Sequence, residues 1–223
     1  MQPFDRFARD YQSHLDRSVS ISGEGSEYFA EYKARYLSAL VPAGFRGKIL
    51  DFGCAAGLLA RFIRQALPNA QLHGYDESAE MVAEVSRRVR CGMFTTDPGE
   101  LDLDYDLIVV ANVLHHVDPD RRPGVVSELR QRLRIAGRLV IFEHNPVNPL
   151  TRWVVSRCPF DEGVRLLPAA ETTGYLMRAG LGGVRVEYIV FFPRALRSCR
   201  RLESKLWWCP LGAQYVALAM REG

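Results

Sequence analysis

Two groups of residues in this sequence have the types and spacing for chemistry. The first is the turn Asp51-Phe52-Gly53-Cys54-Ala55-Ala56-Gly57, which follows a short apolar run. Glycine lets the backbone approach a ligand closely, and a helix N-terminus after such a turn favours a negative group. Nineteen residues after Gly57, Asp76 and Glu77 follow a second apolar run, where an acid can accept hydrogen bonds from ribose hydroxyls. Together the two segments predict a site for a ligand that contains adenosine.

The second group consists of histidines and a carboxylate after two later apolar runs. His115 and His116 follow one run, and Glu143 and His144 follow the next. An imidazole has an unperturbed pKa of about 6.5 and can serve as a general base at neutral pH. All four residues are therefore candidate catalytic residues. The alternative is that one histidine only braces a loop, and that Glu143 or His144 holds a loop or orients a substrate.

Alternation of short apolar runs with helical stretches, starting at about residue 45, sets the fold class. It predicts a doubly wound α/β sheet, in which the carboxyl ends of the parallel strands meet at one edge and bring these residues together. The expected strands are 48–52, 70–75, 93–95, 105–110 and 137–142. The expected helices are 57–67, one with Ser78 at its N-cap, 119–133 and 169–179.

Outside this alternation lie the two ends of the chain. Residues 184–192 and 213–220 read as strands with one short helical segment between them, which predicts an antiparallel hairpin at the sheet edge. The expected fold is thus a seven-stranded, mostly parallel sheet. Residues 1–44 are expected to form a helical N-terminal cover, helical above all over 26–40, on a domain of residues 45–223 with insertions at about 144–168 and 193–211.

Composition narrows the classes of protein. The chain has 223 residues, 48% of them hydrophobic and 25% charged, as in an ordinary globular protein. A net charge of +3 is too small to indicate nucleic-acid binding. Because there is no apolar run of roughly 18 residues and no signal-peptide pattern, the expected location is the cytoplasm, with no integral membrane span. Five cysteines without a Cys-x-x-Cys pair argue against a disulfide framework, and no metal site is predicted.

One competing interpretation of the turn is a dinucleotide site. The pattern G-x-G-x-x-G, set on Gly53, requires glycines at positions 55 and 58, where this chain has Ala55 and Leu58. An NAD-dependent oxidoreductase therefore remains only a minor alternative.

Instead, Asp-x-Gly-x-x-x-Gly at residues 51–57 resembles motif I of the class I (Rossmann-like) S-adenosylmethionine-dependent methyltransferases, of the type that acts on small molecules. Ala55 stands where that family often has a middle glycine. Four further segments are similar to the family in the same order along the chain. They are 75–78 with Met81, 94–97, 105–117 and 133–141. The resemblance covers residues 45–143 in sequence and 169–221 in topology.

The resemblance implies S-adenosylmethionine as the cofactor. Asp97 is expected near the adenine amino group. Cys54 is expected to be a small residue that fills a tight loop and not a nucleophile. The residues that the resemblance assigns to cofactor binding are Asp51, Gly53, Cys54, Gly57, Asp76, Glu77, Met81, Thr96, Asp97, Asn112, Val113 and His116.

For the acceptor, the sequence gives mainly negative information. Methyl transfer from a sulfonium needs alignment, and a base where the nucleophile must lose a proton, but no metal or covalent intermediate. The Asn/Asp-Pro-Pro-Tyr/Phe motif of enzymes that methylate base amino groups is absent, since Ala111-Asn112-Val113-Leu114 takes its place, and the acid cluster of magnesium-dependent catechol methyltransferases is not evident. We expect a small organic acceptor, methylated on oxygen in preference to carbon or nitrogen. A protein of this fold that binds the cofactor only as a partner or regulatory subunit is the alternative.

Residues that could bind this acceptor come from the cover and the insertions. The candidates are Tyr28, Asn145 and Arg152, and Lys33 is a further candidate in the N-terminal cover. The simpler interpretations are that Tyr28 belongs to the core, that Lys33 is solvated and that Asn145-Pro146 forms a turn. Apolar residues of the first insertion are expected to face the acceptor. They are Trp153, Val154, Val155, Pro159 and Phe160.

The second insertion, 193–211, has a helical pattern of its own. Leu196, Cys199, Leu202 and Leu206 recur at helical spacing between arginines, and Trp207 and Trp208 close the segment. This predicts an amphipathic helix with a solvated basic face. A lid over an anionic acceptor, or contact with an anionic membrane surface, are the alternatives. The oligomeric state is left open.

Overall fold

A computed structural model describes residues 5, 8, 10–161 and 163–223. Within them, the strands form one seven-stranded sheet with the order β3-β2-β1-β4-β5-β7-β6. Strands β1 to β5 are parallel to one another, whereas β7 is antiparallel to both β5 and β6. The strands are β1 Lys48–Phe52, β2 Gln71–Tyr75, β3 Gly92–Thr95, β4 Tyr105–Ala111, β5 Leu133–His144, β6 Gly182–Ile189 and β7 Gln214–Met220.

Helices cover both faces of this sheet. Buried apolar residues of α2, α3 and α4 contribute to one core cluster, and buried apolar residues of α5 and α7 contribute to the other. The α-helices are α1 Tyr11–Val19, α2 Ser26–Ala39, α3 Leu58–Ala66, α4 Ala79–Arg88, α5 Arg122–Arg132, α6 Pro149–Val155 and α7 Ala169–Arg178. Shorter 3₁₀ segments are Ser20–Ser22, Pro98–Glu100 and Leu114–His116, and a longer one is Arg194–Lys205.

Strand β4 shows why the central strands read as continuous apolar runs. Successive side chains of a strand point to opposite faces, so a strand that is covered on both sides must be apolar at every position. Leu107 and Val109 belong to the core on one face, and Ile108 and Val110 to the core on the other. All four are fully buried.

The doubly wound sheet with an antiparallel edge hairpin is therefore confirmed. Ser78 is confirmed as the N-cap of α4, where its Oγ accepts a hydrogen bond from Met81 N at 3.2 Å. Strand β5 begins earlier than predicted, at Leu133. The second insertion was predicted as an amphipathic helix, but it is a 3₁₀ segment, and Leu196 within it has non-helical angles (φ −110°, ψ 27°).

The N-terminal cover contains α1 and α2, and α2 packs on α3. Residues 1–4, 6, 7 and 9 of the predicted cover lie outside the described residues. The division into a 1–44 cover and a 45–223 domain stays a prediction. None of the helices that the structure describes is long and apolar enough to span a bilayer.

Candidate active site

A cavity of about 460 Å³ opens at the carboxyl ends of the parallel strands. Asp51 in β1, Asp76 after β2, Asn112 after β4 and His144 at the end of β5 all line it. This is the edge where ligands bind in doubly wound sheets, and the volume falls in the range of small-molecule sites. Helices α1, α2 and α6 supply further walls of the cavity.

The glycine turn lies against the loop that follows β4. Gly53 has a φ of 78°, in the left-handed region, and a Cβ at this position would lie 2.4 Å from Val113 Cγ2. A side chain is therefore excluded both by the backbone conformation and by the close approach. The backbone N–H groups of Gly53 and Cys54 donate to Tyr75 O at 2.8 and 2.9 Å, which fixes the turn to the end of β2.

Asp76 links this turn to the start of α4. Its Oδ2 accepts from Ala55 N at 2.9 Å and its Oδ1 accepts from Ser78 N at 3.0 Å. Burial raises the pKa of Asp76, although both backbone hydrogen bonds act against the shift. The acid thus orders the loop itself, and its carboxylate also faces the cavity beside Glu77 and Met81.

Within the described residues, three buried oxygen atoms of cavity-lining residues have no hydrogen-bond partner. They are Asp51 Oδ2, Asn112 Oδ1 and Gln214 Oε1. Burial raises the pKa of Asp51 to about 7, with Asp76 adding to the shift. Buried acceptors need donors, and S-adenosylmethionine carries an ammonium group and ribose hydroxyls that can donate to them. The residues present therefore fit the cofactor that the sequence implied.

Lys33 of α2 adds a cation to the same cavity. Its Nζ lies 5.8 Å from the centroid of the Phe142 ring, and the residue is 5% exposed. Burial lowers the pKa of Lys33 to about 8, against the attraction of Glu143. A lysine in such a position can pair with an anionic group of a ligand.

His115 lies between two carboxylates. Its Nδ1 is 2.5 Å from Glu143 Oε2, and its Nε2 is 3.2 Å from Asp161 Oδ1. Burial lowers the pKa of His115, but Glu143 and Asp161 outweigh burial and raise it to about 10. His115 is consequently an imidazolium at neutral pH and donates a hydrogen bond to each carboxylate.

The turn that carries this histidine is fixed by buried polar groups. Glu143 Oε1 accepts from Leu114 N at 2.9 Å, so one carboxylate holds both the ring and the backbone of the turn. Arg122, which is 2% exposed, donates from Nε to Val117 O at 2.9 Å. Satisfied polar networks of this kind hold side chains in one arrangement.

His116 and His144 complete the group. His116 lines the cavity with its side chain 22% exposed, and its Nε2 lies 3.3 Å from Asp161 Oδ1. The His144 ring centroid is 5.5 Å from that of His115. Burial, together with the positive charge of His115, lowers the pKa of His144 to about 4. His144 is therefore neutral at pH 7 and a weak base.

The same cluster has the composition of a metal site. Ligand atoms of His115, His144 and Asp161 lie within 4.8 Å of one another. Both nitrogens of His115 already contact carboxylates, however, so the charge of these acids is balanced by a proton on His115. That no metal binds here stays a prediction.

Most residues predicted from the sequence line this one cavity. The cavity is lined by Asp51, Gly53, Cys54, Asp76, Glu77, Met81, Asn112, Val113, His115, His116 and His144. Of the apolar residues expected to face the acceptor, the cavity includes Val154, Val155 and Phe160 but not Trp153 or Pro159.

The remaining cofactor candidates do not line the cavity. Gly57 is the N-cap residue of α3, and a Cβ there would lie 2.3 Å from Val85 Cγ2. Asp97 caps the 3₁₀ segment that follows it by accepting from Gly99 N at 2.7 Å, and Thr96 is exposed. Contact of Gly57, Thr96 and Asp97 with a cofactor stays a prediction.

The acceptor candidates also lie elsewhere. Tyr28 packs under the Arg200 guanidinium at 4.3 Å, and Arg152 is exposed on α6. Asn145 is buried and donates to Pro210 O at 2.9 Å and Gly212 O at 2.7 Å, while its Oδ1 accepts from Val147 N. With its amide fully engaged, Asn145 has a structural role in the fold. Acceptor binding by these three residues stays a prediction.

Sequence reasoning missed Asp161, Gln214 and Tyr11. Asp161 lies in the loop between α6 and α7, where neither a strand end nor a motif marks it. Tyr11 of α1 stacks near Phe160 with ring centroids 5.0 Å apart, and both line the cavity. Only the fold brings these distant segments to the site.

Comparisons with known proteins agree with this geometry. Residues 50–139 match the sequence profile of the family described as Methyltransferase domain. A demethylmenaquinone methyltransferase from Thermotoga maritima is 28% identical over 152 residues, which make up 66% of this chain and 62% of that protein. The match therefore spans less than two thirds of that relative's length.

Two solved structures have the same fold. A SAM-dependent methyltransferase from Archaeoglobus fulgidus superposes with a TM-score of 0.68 at 16% identity, covering 88% of this chain and 95% of that chain. Haemonchus contortus phosphoethanolamine N-methyltransferase 2, in complex with S-adenosyl-L-methionine, superposes with a TM-score of 0.65 at 16% identity, covering 100% of this chain and 61% of that chain. The family match covers motif I and the strands that follow it, so residues 50–139 form a methyltransferase domain, and the comparisons support the assignment of the chain to the class I S-adenosylmethionine-dependent methyltransferases.

Proposed function

We propose that this protein methylates a small organic acceptor whose attacking atom must lose a proton, with a hydroxyl oxygen favoured. The observation that carries the proposal is the chain His116–Asp161–His115–Glu143, which begins at the cavity and ends at a fully buried carboxylate. A neutral amine attacks through a lone pair that it already has and loses its proton only afterwards, so it depends less on a base during the transfer than a hydroxyl group does. A protein that only bound the cofactor would have no need of such a chain.

The cofactor end of the cavity consists of the glycine turn and the acids around it. The bound cofactor would be held through its ammonium and hydroxyl groups by Asp51, Asp76 and Asn112. Met81 would pack against its adenine ring. S-adenosylmethionine supplies an electrophilic methyl group on a sulfonium whose positive charge is lost on transfer. The residues of this chain then have to align the acceptor and remove its proton.

His116 is the best candidate for the base. His115 already carries a proton at neutral pH, because its pKa is about 10, and His144 is a weak base with a pKa of about 4. His116 lines the cavity and has Asp161 beside it, which can orient the ring and stabilise the imidazolium that forms. In this scheme His115 and Glu143 act only by positioning Asp161.

We assign the acceptor to an apolar part of the cavity lining. Its residues are Leu15 and Val19 of α1, Val154 and Val155 of α6, and Phe160. Such a wall suits the body of an aromatic or aliphatic molecule with few polar groups. The similarity to a demethylmenaquinone methyltransferase makes reduced demethylmenaquinone a first compound to test, beside simpler phenols, with its ring carbon as well as its hydroxyl oxygens examined for the added methyl group.

The test is transfer of labelled methyl from S-adenosylmethionine to a panel of phenols, hydroquinones and amines. With the best acceptor, His116→Asn is expected to lower kcat by about 10²–10⁴-fold, while the Kd for S-adenosylmethionine changes little. His73→Asn is the matched control, since His73 lies outside the cavity lining and contacts Tyr105 Oη at 2.8 Å. Undiminished kcat in His116→Asn, or a preference for amines, would contradict the proposal.

A further inference from the structure

Apolar side chains of two separate segments remain exposed beside the cavity. Their exposed fractions run from 41% for Trp153 to 64% for Trp208. We call them the apolar surface, which comprises Val147, Leu150, Trp153, Trp207, Trp208 and Leu211. Tryptophan and leucine rarely remain so exposed together without a partner.

Hydrogen bonds fasten the two segments into one surface. Asn148 Nδ2 donates to Leu211 O at 2.6 Å, and Asn145 donates to Pro210 O and Gly212 O. Thr151 Oγ1 donates to Ala213 O at 2.9 Å. Because these bonds tie the start of α6 to the segment before β7, the exposed residues of both segments are held beside each other.

A basic strip leads into this surface. Arg197, Arg201 and Lys205 of the 3₁₀ segment are exposed, and none has an ion pair with another residue of the described ranges. Glu203, the acid between them in sequence, is buried and accepts from Phe191 N and Phe192 N at 3.0 and 3.1 Å. The Glu203 carboxylate is thus directed into the protein, while the positively charged side chains of Arg197, Arg201 and Lys205 are exposed to solvent.

Arginine also accompanies the apolar surface itself. The Arg157 guanidinium lies 4.2 Å from the Trp153 ring centroid. Aromatic rings that carry a guanidinium suit the boundary between lipid headgroups and acyl chains, where the ring is half immersed and the charge meets phosphate. A soluble protein partner would instead require a shape that complements both segments.

We propose that the apolar surface and its basic strip dock this protein on an anionic lipid bilayer. Leu150, Leu211 and the tryptophans would enter the interface, and Arg197, Arg201 and Lys205 would meet anionic headgroups. Helix α6 links the docking surface to the cavity, since Val154 and Val155 line the cavity while Leu150 and Trp153 are exposed. The idea that an apolar acceptor enters the cavity from the bilayer rests on the proposed function. Binding of the protein to the bilayer does not depend on that function.

The test is binding of the full chain to vesicles, measured by flotation and by tryptophan fluorescence. Vesicles of phosphatidylcholine with phosphatidylglycerol are expected to bind the protein about tenfold or more tightly than vesicles of phosphatidylcholine alone, with weaker binding at high salt. A blue shift of the tryptophan emission should accompany binding.

Two variants separate the contributions. The charge variant R197E/R201E/K205E is expected to lose the preference for anionic vesicles, and W207S/W208S to lose most binding to either vesicle type. Ile135→Ser with Met177→Ser is the matched control, because both side chains are exposed apolar residues of other segments. Retained binding of S-adenosylmethionine in every variant shows that each one folds.

Equal binding of the wild type to both vesicle types, or unchanged binding in both variants, would overturn the proposal. Self-association that W207S/W208S abolishes, without vesicle binding by the wild type, would also overturn it and would assign the surface to a second copy of the chain. These readouts do not use methyl transfer. Failure of docking is therefore distinct from failure of the proposed function.

Discussion

Gly53 is a residue of the cofactor turn at which a single added methyl group would be disruptive. We expect Gly53→Ala to lower the free energy of unfolding by about 1–3 kcal/mol, because φ is 78° and the new Cβ would lie 2.4 Å from Val113 Cγ2. Affinity for S-adenosylmethionine should fall with it, since the turn must move. Urea unfolding and calorimetry measure the two effects.

Gly124 provides the control. It lies in the first turn of α5, where an added Cβ would meet no atom of the other described parts of the chain within 4 Å, so Gly124→Ala should stabilise the chain by about 0.5–1 kcal/mol. Equal effects of the two substitutions would contradict the close approach of the turn to Val113.

Asp51 illustrates a conflict between stability and binding. Its pKa is about 7 in the folded protein and near 3.8 when exposed, so burial disfavours the charged form. Below pH 4 the acid is protonated in both states and this cost is absent. It grows as the pH rises from 4 to 7 and is complete above 7.

Asp51→Asn should therefore stabilise the ligand-free protein relative to wild type by about 1–3 kcal/mol at pH 8, and by much less at pH 4. Its affinity for S-adenosylmethionine should fall about tenfold or more, because an amide cannot balance an ammonium group. Unfolding curves at both pH values and calorimetry test the pair of effects. A variant that binds as well as wild type would show that Asp51 does not face the cofactor.

At the scale of elements, the apolar runs of the sequence predicted most of the strands, and a capping residue predicted the start of α4. The strands around motif I and the N-cap Ser78 were predictable because each depends on residues next to each other in sequence. Asp161 was not, because it joins the site only through the packing of the α6–α7 loop against the turn after β4. The partners of Asn145 were not predictable for the same reason, since Pro210 and Gly212 are distant in sequence.

The hydrogen-bonded group around His115 joins three elements and should give a characteristic pH dependence. The folded pKa of His115, about 10, lies above its unfolded value near 6.5. Its contribution to stability is therefore fully present below pH 6.5 and is lost as the pH rises through 10. His115→Gln leaves Glu143 and Asp161 without their cation.

We expect His115→Gln to lower the free energy of unfolding by roughly 3–5 kcal/mol at pH 6, with a smaller difference from wild type at pH 10. Urea unfolding of both proteins across this range measures the difference. His73→Gln is the control, because burial lowers the pKa of His73 and no stabilisation should disappear between pH 6.5 and 10. A difference for His115→Gln that does not vary with pH would mean that His115 is neutral in the folded protein.

At the scale of the whole molecule, the cavity joins parts of the chain that are distant in sequence. Its walls include α1 near the N-terminus, four strand ends, α6, and Gln214 near the C-terminus. A ligand that contacts all of them binds only the folded state, so its binding free energy adds to the stability of the entire sheet.

We therefore expect S-adenosylmethionine, at 100 times its Kd, to stabilise the protein by about 2.7 kcal/mol. For a chain of this size this corresponds to a rise in Tm of roughly 5–10 °C. NAD at the same concentration should leave Tm unchanged, since Ala55 and Leu58 replace the glycines that a pyrophosphate requires. Differential scanning calorimetry with each ligand measures both shifts.

The Asp76→Ala variant tests whether the rise in Tm caused by S-adenosylmethionine comes from binding at this cavity. The substitution removes the acceptor of Ala55 N and Ser78 N, so it should lower the Tm of the ligand-free protein and also reduce the further rise that S-adenosylmethionine produces. Glu84→Ala, on the same side of the sheet but outside the cavity lining, should retain the full ligand-induced rise. If NAD raised Tm and S-adenosylmethionine did not, the cavity would have to be reassigned to a dinucleotide, because no change in the acceptor end could produce that result.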